Sequence, residues 1–299
     1  MKNYLILFLK GMGMGVANVI PGVSGGTIAL ITEIYEELIN SLKSFDKKAL
    51  KLLFSFKIEE LIQHTNFYFL AAVFSGSITS IFTIASLFKY LFTNYPVLIW
   101  AFFFGLILAS VIFVGKRVEN WNIQSTMALI IGTTIAVSLS LMTPATENSN
   151  LFFVFICGII GISGMILPGL SGSYILILLG NYKLLMVTAV TELDITLLSI
   201  FFLGSAFGLM SFSHLLSWVL KKHKDATLAL LTGFILGSLN IIWPWKEVAE
   251  SVKINGKVKA ITYNSFFPTE ISNDTLFAIM LMAAGFLLVY FLENSSKNK

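Results

Sequence analysis

Two short segments of the chain combine proline, glycine and hydroxyl side chains in the order Pro-Gly-x-Ser-Gly. The first contains Pro21, Gly22, Ser24, Gly25 and Gly26, followed by Thr27, and the second contains Pro168, Gly169, Ser171, Gly172 and Ser173. Proline disfavours helix in the residue before it and glycine permits unusual backbone angles, so each segment predicts a helix break. A helix that restarts near the serine leaves its first N–H groups unpaired. With the hydroxyl donors, these groups suit an anion such as phosphate.

The same residues also have a purely structural interpretation. Glycine and serine let membrane helices approach closely, and Ser24 can cap its own helix. The functional hypothesis depends on both segments, because two breaks at equivalent positions within apolar sequence indicate a site where two halves of a transporter meet.

Composition excludes a soluble globular domain. Hydrophobic residues make up 56% of the 299 residues and charged residues 12%, whereas soluble domains carry about 25% charged residues. The net charge of +4 comes from lysines between apolar runs, which orient a membrane protein rather than bind nucleic acid. Cys157 is the only cysteine, so no disulfide or CxxC metal site is expected. We recognise no cleavable signal peptide and expect no cofactor.

The sequence contains an internal repeat. An offset of 147 residues superimposes the two motifs, and an offset of 128 relates the segments that follow them. The pairs at these offsets include Gly11 with Gly158, Gly76 with Gly204 and Gly105 with Gly233. We therefore divide the chain into repeats at 1–147 and 148–299. A lysine-rich insertion at about 43–66 predicts an amphipathic surface helix, and a polar insertion at about 246–273 predicts an extramembrane loop.

Each repeat contains one motif hairpin and three long apolar runs. The runs cover residues 67–92, 95–115 and 123–142 in the first repeat and 196–220, 226–242 and 275–292 in the second. Three crossings are an odd number, so the second repeat is inverted relative to the first. The segment 5–20 is short for a span, so we expect re-entrant hairpins, although the charge pattern does not distinguish them from hairpins that cross twice. The predicted fold is an all-α polytopic membrane protein, an inverted repeat of a re-entrant hairpin plus three transmembrane helices.

Lysines concentrate in the loops on one side of this topology, which the positive-inside rule assigns to the cytoplasm together with both termini. Five side chains beyond the motifs are candidates for ion coupling or for the mouths of a pathway: Glu33, Tyr35, Glu36, Tyr182 and Lys183. Glu33 lies about 10 Å along a helix from Gly26, and Glu36 about 15 Å. If Gly26 lies at the membrane midplane, Glu33 is the deeper of the two glutamates in the apolar region. An ionisable group is costly there, which makes Glu33 the coupling candidate. Glu36 and Lys183 also have a plain interpretation as surface charges.

The segments GMGMGVANVIPGVSGGTIALITEIYEEL and GIIGISGMILPGLSGSYILILLGNY resemble the bacterial polyprenyl-phosphate transporter (PopT) family, and the resemblance covers essentially the whole chain. It implies a flippase in the bacterial cytoplasmic membrane that returns undecaprenyl phosphate, the lipid carrier of cell-wall biogenesis, from the outer to the cytoplasmic leaflet. The family motif carries over to the motif residues named above and to Tyr35, Glu36 and Tyr182. Glu33 departs from a pattern that has glycine, as Gly180 does here, so its role stays open.

Two other classes remain possible. Undecaprenyl pyrophosphate phosphatases also place Pro-Gly-x-Ser in a membrane hairpin, but there arginine follows, whereas Gly25 and Gly172 follow here. The only arginine, Arg117, is predicted in a cytoplasmic loop. A small-anion or ion transporter would use the same helix-end chemistry. No GxxxxGK[ST] loop is present, so uphill transport would use an H⁺ or Na⁺ gradient rather than ATP.

The lysine distribution predicts the membrane topology. Cysteines introduced near Asp46 and near Lys224 should react with an impermeant thiol reagent from the cytoplasm, and one near Asn148 from outside, because the lysine-rich loops stay inside. Labelling of the Asp46 and Asn148 positions from the same side would contradict the inverted repeat.

Overall fold

The computed structural model describes residues 3–19, 23–254, 257–269 and 272–297. The predicted site residues Pro21 and Gly22 lie outside these ranges. The first part of the chain forms helices α1 (Tyr4–Val19), α2 (Gly25–Ile31), α3 (Tyr35–Lys43), α4 (Lys47–Phe54), α5 (Ile58–His64), α6 (Phe67–Asn94), α7 (Pro96–Gly115) and α8 (Ile123–Leu141). The second part forms α9 (Leu151–Ile166), α10 (Gly172–Leu178), a π-helical turn (Leu184–Thr188), α11 (Ala189–Thr191), α12 (Ile195–Lys222), α13 (Lys224–Ser238), strands β1 (Lys246–Ile254) and β2 (Lys257–Ser265), and α14 (Asn273–Lys297).

Within the described ranges, five helices are long and apolar enough to cross a membrane: α6, α7, α8, α12 and α14. The chain is therefore a multi-pass membrane protein. These five helices correspond to five of the six predicted spans. The sixth prediction, 226–242, corresponds to α13, which has 15 residues, ends at Ser238 and is followed by turns over residues 239–242.

The lysine-rich insertion is not one amphipathic helix. It forms α4 and α5, separated by a turn in which Phe56 adopts a left-handed backbone with φ 54°. Asp46 starts α4, because its carboxylate accepts hydrogen bonds from the N–H groups of Lys48 and Ala49. This end of α4 favours the charged carboxylate. Burial acts against ionisation, but the bonds from Ala49, His64 and Lys48 outweigh it and lower the Asp46 pKa.

The polar insertion contains an antiparallel β-hairpin, in which β1 pairs with β2 from Lys246 opposite Ser265 to Ile254 opposite Lys257. The dipeptide Asn255-Gly256, which lies outside the described residues, separates the two strands in the sequence and is typical of a tight hairpin turn. The predicted all-α fold class therefore does not include this β-hairpin.

Helix packing follows the order of the elements in the two repeats. Helix α1 packs on α6 as α9 packs on α12, while α7 packs on α14 and α13 packs on α8. At each contact a glycine lies directly against the backbone of the partner helix. The matching contacts are Gly11 on Val73 and Gly158 on Phe201, Gly76 on Phe8 and Gly204 on Phe155, Gly105 on Met282 and Gly233 on Leu129, and Gly285 on Phe102 and Gly132 on Leu230.

These contacts predict a stability effect. Gly105→Ala and Gly233→Ala place a Cβ against the carbonyl groups of Met282 and Leu129, so each should lower the melting temperature in detergent, by the equivalent of about 1–3 kcal/mol of overpacking. Gly115→Ala is the matched control, because its Cβ would meet Thr232 only at 3.6 Å. The helix-propensity gain of up to about 1 kcal/mol acts in the stabilising direction in all three variants, and is smaller for Gly115 at the end of α7. Equal melting temperatures for the three would contradict the packing argument.

Candidate functional site

The two motif hairpins meet at their tips. The Ser24 hydroxyl, just before α2, lies 3.1 Å from the carbonyl oxygen of Leu167, just after α9. The N–H of Gly169 donates to the hydroxyl of Thr27 at 2.9 Å. Ser24 and Thr27 are buried, and Gly26 packs against the carbonyl of Ile166. The structure therefore brings the two predicted motifs into direct contact.

The first tip is closed by partners within the chain. The Gly25 N–H donates to the side-chain oxygen of Asn18 at 2.9 Å, and the Gly26 N–H donates to the Ser24 hydroxyl at 3.1 Å. The Thr27 N–H donates to the Ser24 carbonyl at 2.9 Å. The prediction that the first N–H groups of this helix are unpaired is therefore wrong for α2. Asn18, seven residues before Gly25, supplies an acceptor that the motif alone does not reveal.

The second tip is more open. Ser171 precedes α10 but does not cap it, and its hydroxyl lies 2.9 Å from that of Ser173 instead. Ser173 is exposed and Ser171 half-buried. Among the described residues, none accepts a hydrogen bond from the N–H of Gly172 or Ser173. This tip thus presents two hydroxyls and the start of a helix, while Pro168 and Gly169 form the buried turn behind it.

Tyr35 links the first repeat to the second hairpin. Its hydroxyl is buried and donates to the carbonyl of Ile166 at 3.3 Å. Its counterpart Tyr182 is half-buried beside the apolar cluster around α9 and α12. Glu36 and Lys183 are exposed, and Glu36 lines a cleft with Lys221 and Lys224. Tyr35 therefore has a structural contact with the site, whereas Glu36 and Lys183 lie outside the contact between the tips.

Two cations hold the far end of α2. Arg117 donates to the carbonyl oxygens of Leu30 at 2.9 Å and Ile31 at 3.3 Å, and Lys10 donates to the carbonyl of Thr32 at 2.6 Å. The Arg117 guanidinium also lies 3.3 Å from both Glu33 and Glu293. Cations near the last carbonyls of a helix are favourable because these carry partial negative charge.

The predicted placement of Arg117 in a loop did not anticipate these contacts. Arg117 follows α7 directly and reaches from there to α2 and α14. Its only signal in the sequence is that it is the single arginine, placed at the end of a long apolar run.

The sequence comparisons agree with this architecture. A family model described as undecaprenyl phosphate translocase-like matches residues 14–259, which include both motifs and most of the helices. The chain belongs to this translocase-like family.

Two curated relatives support the membership. A polyprenyl-phosphate transporter from Vibrio cholerae is 41% identical over 298 residues, which cover 97% of this chain and 96% of the relative. A polyprenyl-phosphate transporter from Staphylococcus aureus is 32% identical over 258 residues, covering 80% of this chain and 86% of the relative. No solved structure gives a significant match.

In this family member, the structure explains why glycine suits the position of Glu33. Glu33 and Gly180 are each the second residue after a short motif helix, and both have a left-handed backbone, with φ 62° and 77°. The following N–H groups make equivalent hydrogen bonds, from Ile34 to Ala29 and from Asn181 to Leu176, both at 3.0 Å. Glycine adopts this conformation without strain. The Glu33 side chain is 50% exposed and faces Arg117.

We expect Glu33 and Arg117 to respond differently to substitution. Glu33→Gly relieves a left-handed backbone that costs about 1–2 kcal/mol for other residues and loses an exposed ion pair worth about 0.2–1 kcal/mol, so the melting temperature should hold or rise. Glu33→Ala, the matched control, loses the pair but keeps the strain and should melt lower. Arg117→Met removes the guanidinium from the buried Glu293 carboxylate and from the carbonyls of Leu30 and Ile31, and should lower the melting temperature well below that of Glu33→Ala.

A second substitution tests the cause of that loss. Adding Glu293→Gln to Arg117→Met removes the buried negative charge that Arg117 faces and should recover part of the stability. A Glu33→Gly protein as unstable as Arg117→Met would contradict this account.

Proposed function

We propose that this protein is a membrane carrier that moves polyprenyl phosphate between leaflets, and specifically undecaprenyl phosphate from the outer to the cytoplasmic leaflet. The observation that carries the proposal is the contact between the two motif hairpins inside a bundle of membrane-spanning helices, made by Ser24 with Leu167 and Thr27 with Gly169. The names of the curated relatives supply the substrate class. Broken helices that meet within a bundle are where secondary transporters hold their substrates.

We further propose that the two repeats are inverted and that the hairpins are re-entrant. The matching glycine contacts of the two halves support the repeat. The odd number of long apolar runs and the lysine-rich loops support opposite orientations, with both termini in the cytoplasm of a bacterial inner membrane. Hairpins that enter and leave on the same side would let each tip approach the membrane centre.

The phosphate site is proposed at the second tip. Among the described residues, the Ser171 and Ser173 hydroxyls and the N–H groups of Gly172 and Ser173 are the donors that remain at the junction, and neutral donors at a helix start suit a phosphomonoester. Ser24, Gly25, Gly26 and Thr27 then act by holding the second hairpin in place. Pro168 and Gly169 set its turn.

The electrostatics favour a carrier over a hydrolase. Enzymes that transfer phosphoryl groups place cations against the developing charge, but Arg117 and Lys10 contact the far end of α2 rather than the tips. The tips contain glycine where the phosphatases have arginine. Neutral donors also allow the anion to leave again, which a carrier requires. An apolar groove lined by residues that include Ile28 lies beside α2. Transport of a small inorganic anion would not require such a groove.

The decisive experiment is reconstitution in vesicles that contain undecaprenyl phosphate, with flipping and phosphate release from undecaprenyl pyrophosphate measured in parallel. The wild type should flip the lipid and release no inorganic phosphate. Phosphate release that is lost on mutation of Ser171 would favour a hydrolase.

The double variant Ser171→Ala/Ser173→Ala should lose most flipping, because it removes two of the proposed phosphate donors, and should keep its melting temperature. Ser199→Ala, an exposed serine on α12, is the matched control. Ser24→Ala should instead lower the melting temperature, because it removes a helix cap worth about 0.5–2 kcal/mol. Undiminished flipping by the double variant would contradict the proposed site.

Hydroxyl variants are preferable to glycine variants at the tips. A Cβ at Gly25 would meet the side-chain amide of Asn18, and one at Gly172 would meet the carbonyl of Gly161. Valine or arginine at either glycine would therefore disturb packing as well as the proposed anion site, and its effect on flipping would have two causes.

A further inference from the structure

A groove of about 490 Å³ runs beside the first hairpin. Its walls come from α1, α2, α6, α7 and α14, and they are almost entirely apolar. Gly13, Ile28, Phe103 and Leu106 form its floor and sides. Its volume lies in the range of ligand sites, which are typically about 300–1,000 Å³ and mostly apolar with a few polar groups.

The groove opens towards the outer face of the bundle. Ile6, Leu9 and Leu288 line it and are exposed, Leu9 by 55%. In a chain whose long helices span a membrane, this face is in contact with lipid. A lipid chain can therefore enter sideways from the bilayer without passing through water.

The two ends of the groove differ in chemistry. At one end Val23 lines it, and Val23 immediately precedes Ser24 at the junction of the hairpin tips. At the other end lie Thr32 and Lys10, whose ammonium group donates to the Thr32 carbonyl. The groove thus extends from the proposed transport site to a cation.

The second repeat does not repeat these features. At the offset of 147 residues, Lys10 corresponds to Cys157 and Gly13 corresponds to Ile160. The positive charge and the glycine that leaves room beside α2 are therefore specific to the first repeat. In the first repeat this lysine holds the end of α2 through the Thr32 carbonyl, and it also places a positive charge at one end of the groove.

We propose that this groove binds the prenyl chain of the polyprenyl phosphate, with the Lys10 ammonium as counter-ion for its phosphate at the end opposite the tips. The proposal rests on the proposed function and adds a second station for the same substrate. The methyl-branched prenyl chain is apolar and matches the walls, and its single anionic headgroup matches the single cation. The phosphate would bind at the second tip while the lipid crosses the membrane. It would lie beside Lys10 when the lipid enters or leaves the protein.

Binding measurements on the purified protein test the groove. We would compare undecaprenyl phosphate, farnesyl phosphate and inorganic phosphate as ligands, by native mass spectrometry and by thermal shift. For the wild type, affinity should rise with prenyl chain length, because each further prenyl unit removes more apolar surface from water.

Gly13→Leu fills the groove next to Ile28 and should weaken undecaprenyl phosphate binding by about tenfold or more, a loss of 1.4 kcal/mol per factor of ten. Ala284→Leu adds the same side chain on the exposed face of α14 and should stay within about twofold of the wild type. Val16→Trp, at another groove-lining position, serves if Gly13→Leu does not fold. Undiminished binding by a folded groove variant would overturn the groove proposal while leaving the proposed function intact.

Lys10 is tested separately. Lys10→Gln should weaken undecaprenyl phosphate binding and reduce its dependence on salt, and Lys10→Arg should restore both, because a rim charge acts through electrostatic attraction. Farnesol, which has the chain without the phosphate, should bind the wild type and Lys10→Gln equally. If Lys10→Gln weakened the binding of farnesol more than the binding of farnesyl phosphate, the proposed role of Lys10 would be overturned.

Two further outcomes separate this proposal from the function on which it rests. Equal competition by phosphatidylglycerol would mean an ordinary anionic-lipid site and would overturn prenyl recognition. A wild type that binds none of the prenyl phosphates, in a preparation with a normal melting transition, would overturn the proposed function itself.

Discussion

A helix broken inside a membrane needs hydrogen-bond partners from the protein, because the hydrocarbon offers none. This constraint would govern both motif hairpins at the membrane depth that we propose for them. At the start of α2, Asn18 and Ser24 accept from the N–H groups of Gly25 and Gly26, and at its end Arg117 and Lys10 donate to the last carbonyls. A helix of seven residues is held at both ends by groups from elsewhere, so its position depends on the arrangement of α1 and α7.

Because the first hairpin uses its hydrogen-bond donors within the protein, the second hairpin is the proposed place for a ligand. The first tip uses its donors internally and also supplies Ser24 and Thr27 to the turn of the second hairpin. The second tip keeps the Ser171 and Ser173 hydroxyls at an accessible surface. Two motifs of nearly identical sequence therefore have different tasks, one as support and one as the proposed contact with phosphate. Close helix contacts through glycine, repeated in both halves, provide the rigid frame around them.

Much of this architecture was predictable from local sequence. Apolar length located the long helices, and Pro-Gly-x-Ser located both breaks and the restart of α2 and α10, since these are properties of a few neighbouring residues. The closure of the first tip by Asn18 and the reach of Arg117 to α2 were not predictable, because they depend on which helices pack together. The β-hairpin was missed although Asn255-Gly256 indicated it, since polar composition was given more weight than turn chemistry. The single surface helix was wrong because a left-handed residue, Phe56, ends it.

The two short motif helices end in electrically different ways. The carbonyl of Ile31 accepts from a guanidinium, whereas its counterpart, the carbonyl of Leu178, accepts from the backbone N–H of Ala145 at 2.8 Å. In a carrier with perfectly equivalent halves, the inward-facing and outward-facing states would have equal free energies and equal populations. Unequal helix ends remove that degeneracy, and each 1.4 kcal/mol of difference shifts the resting population tenfold. The proposed carrier, when empty, would then populate one of its two orientations preferentially, so that its cycle would have a preferred starting state.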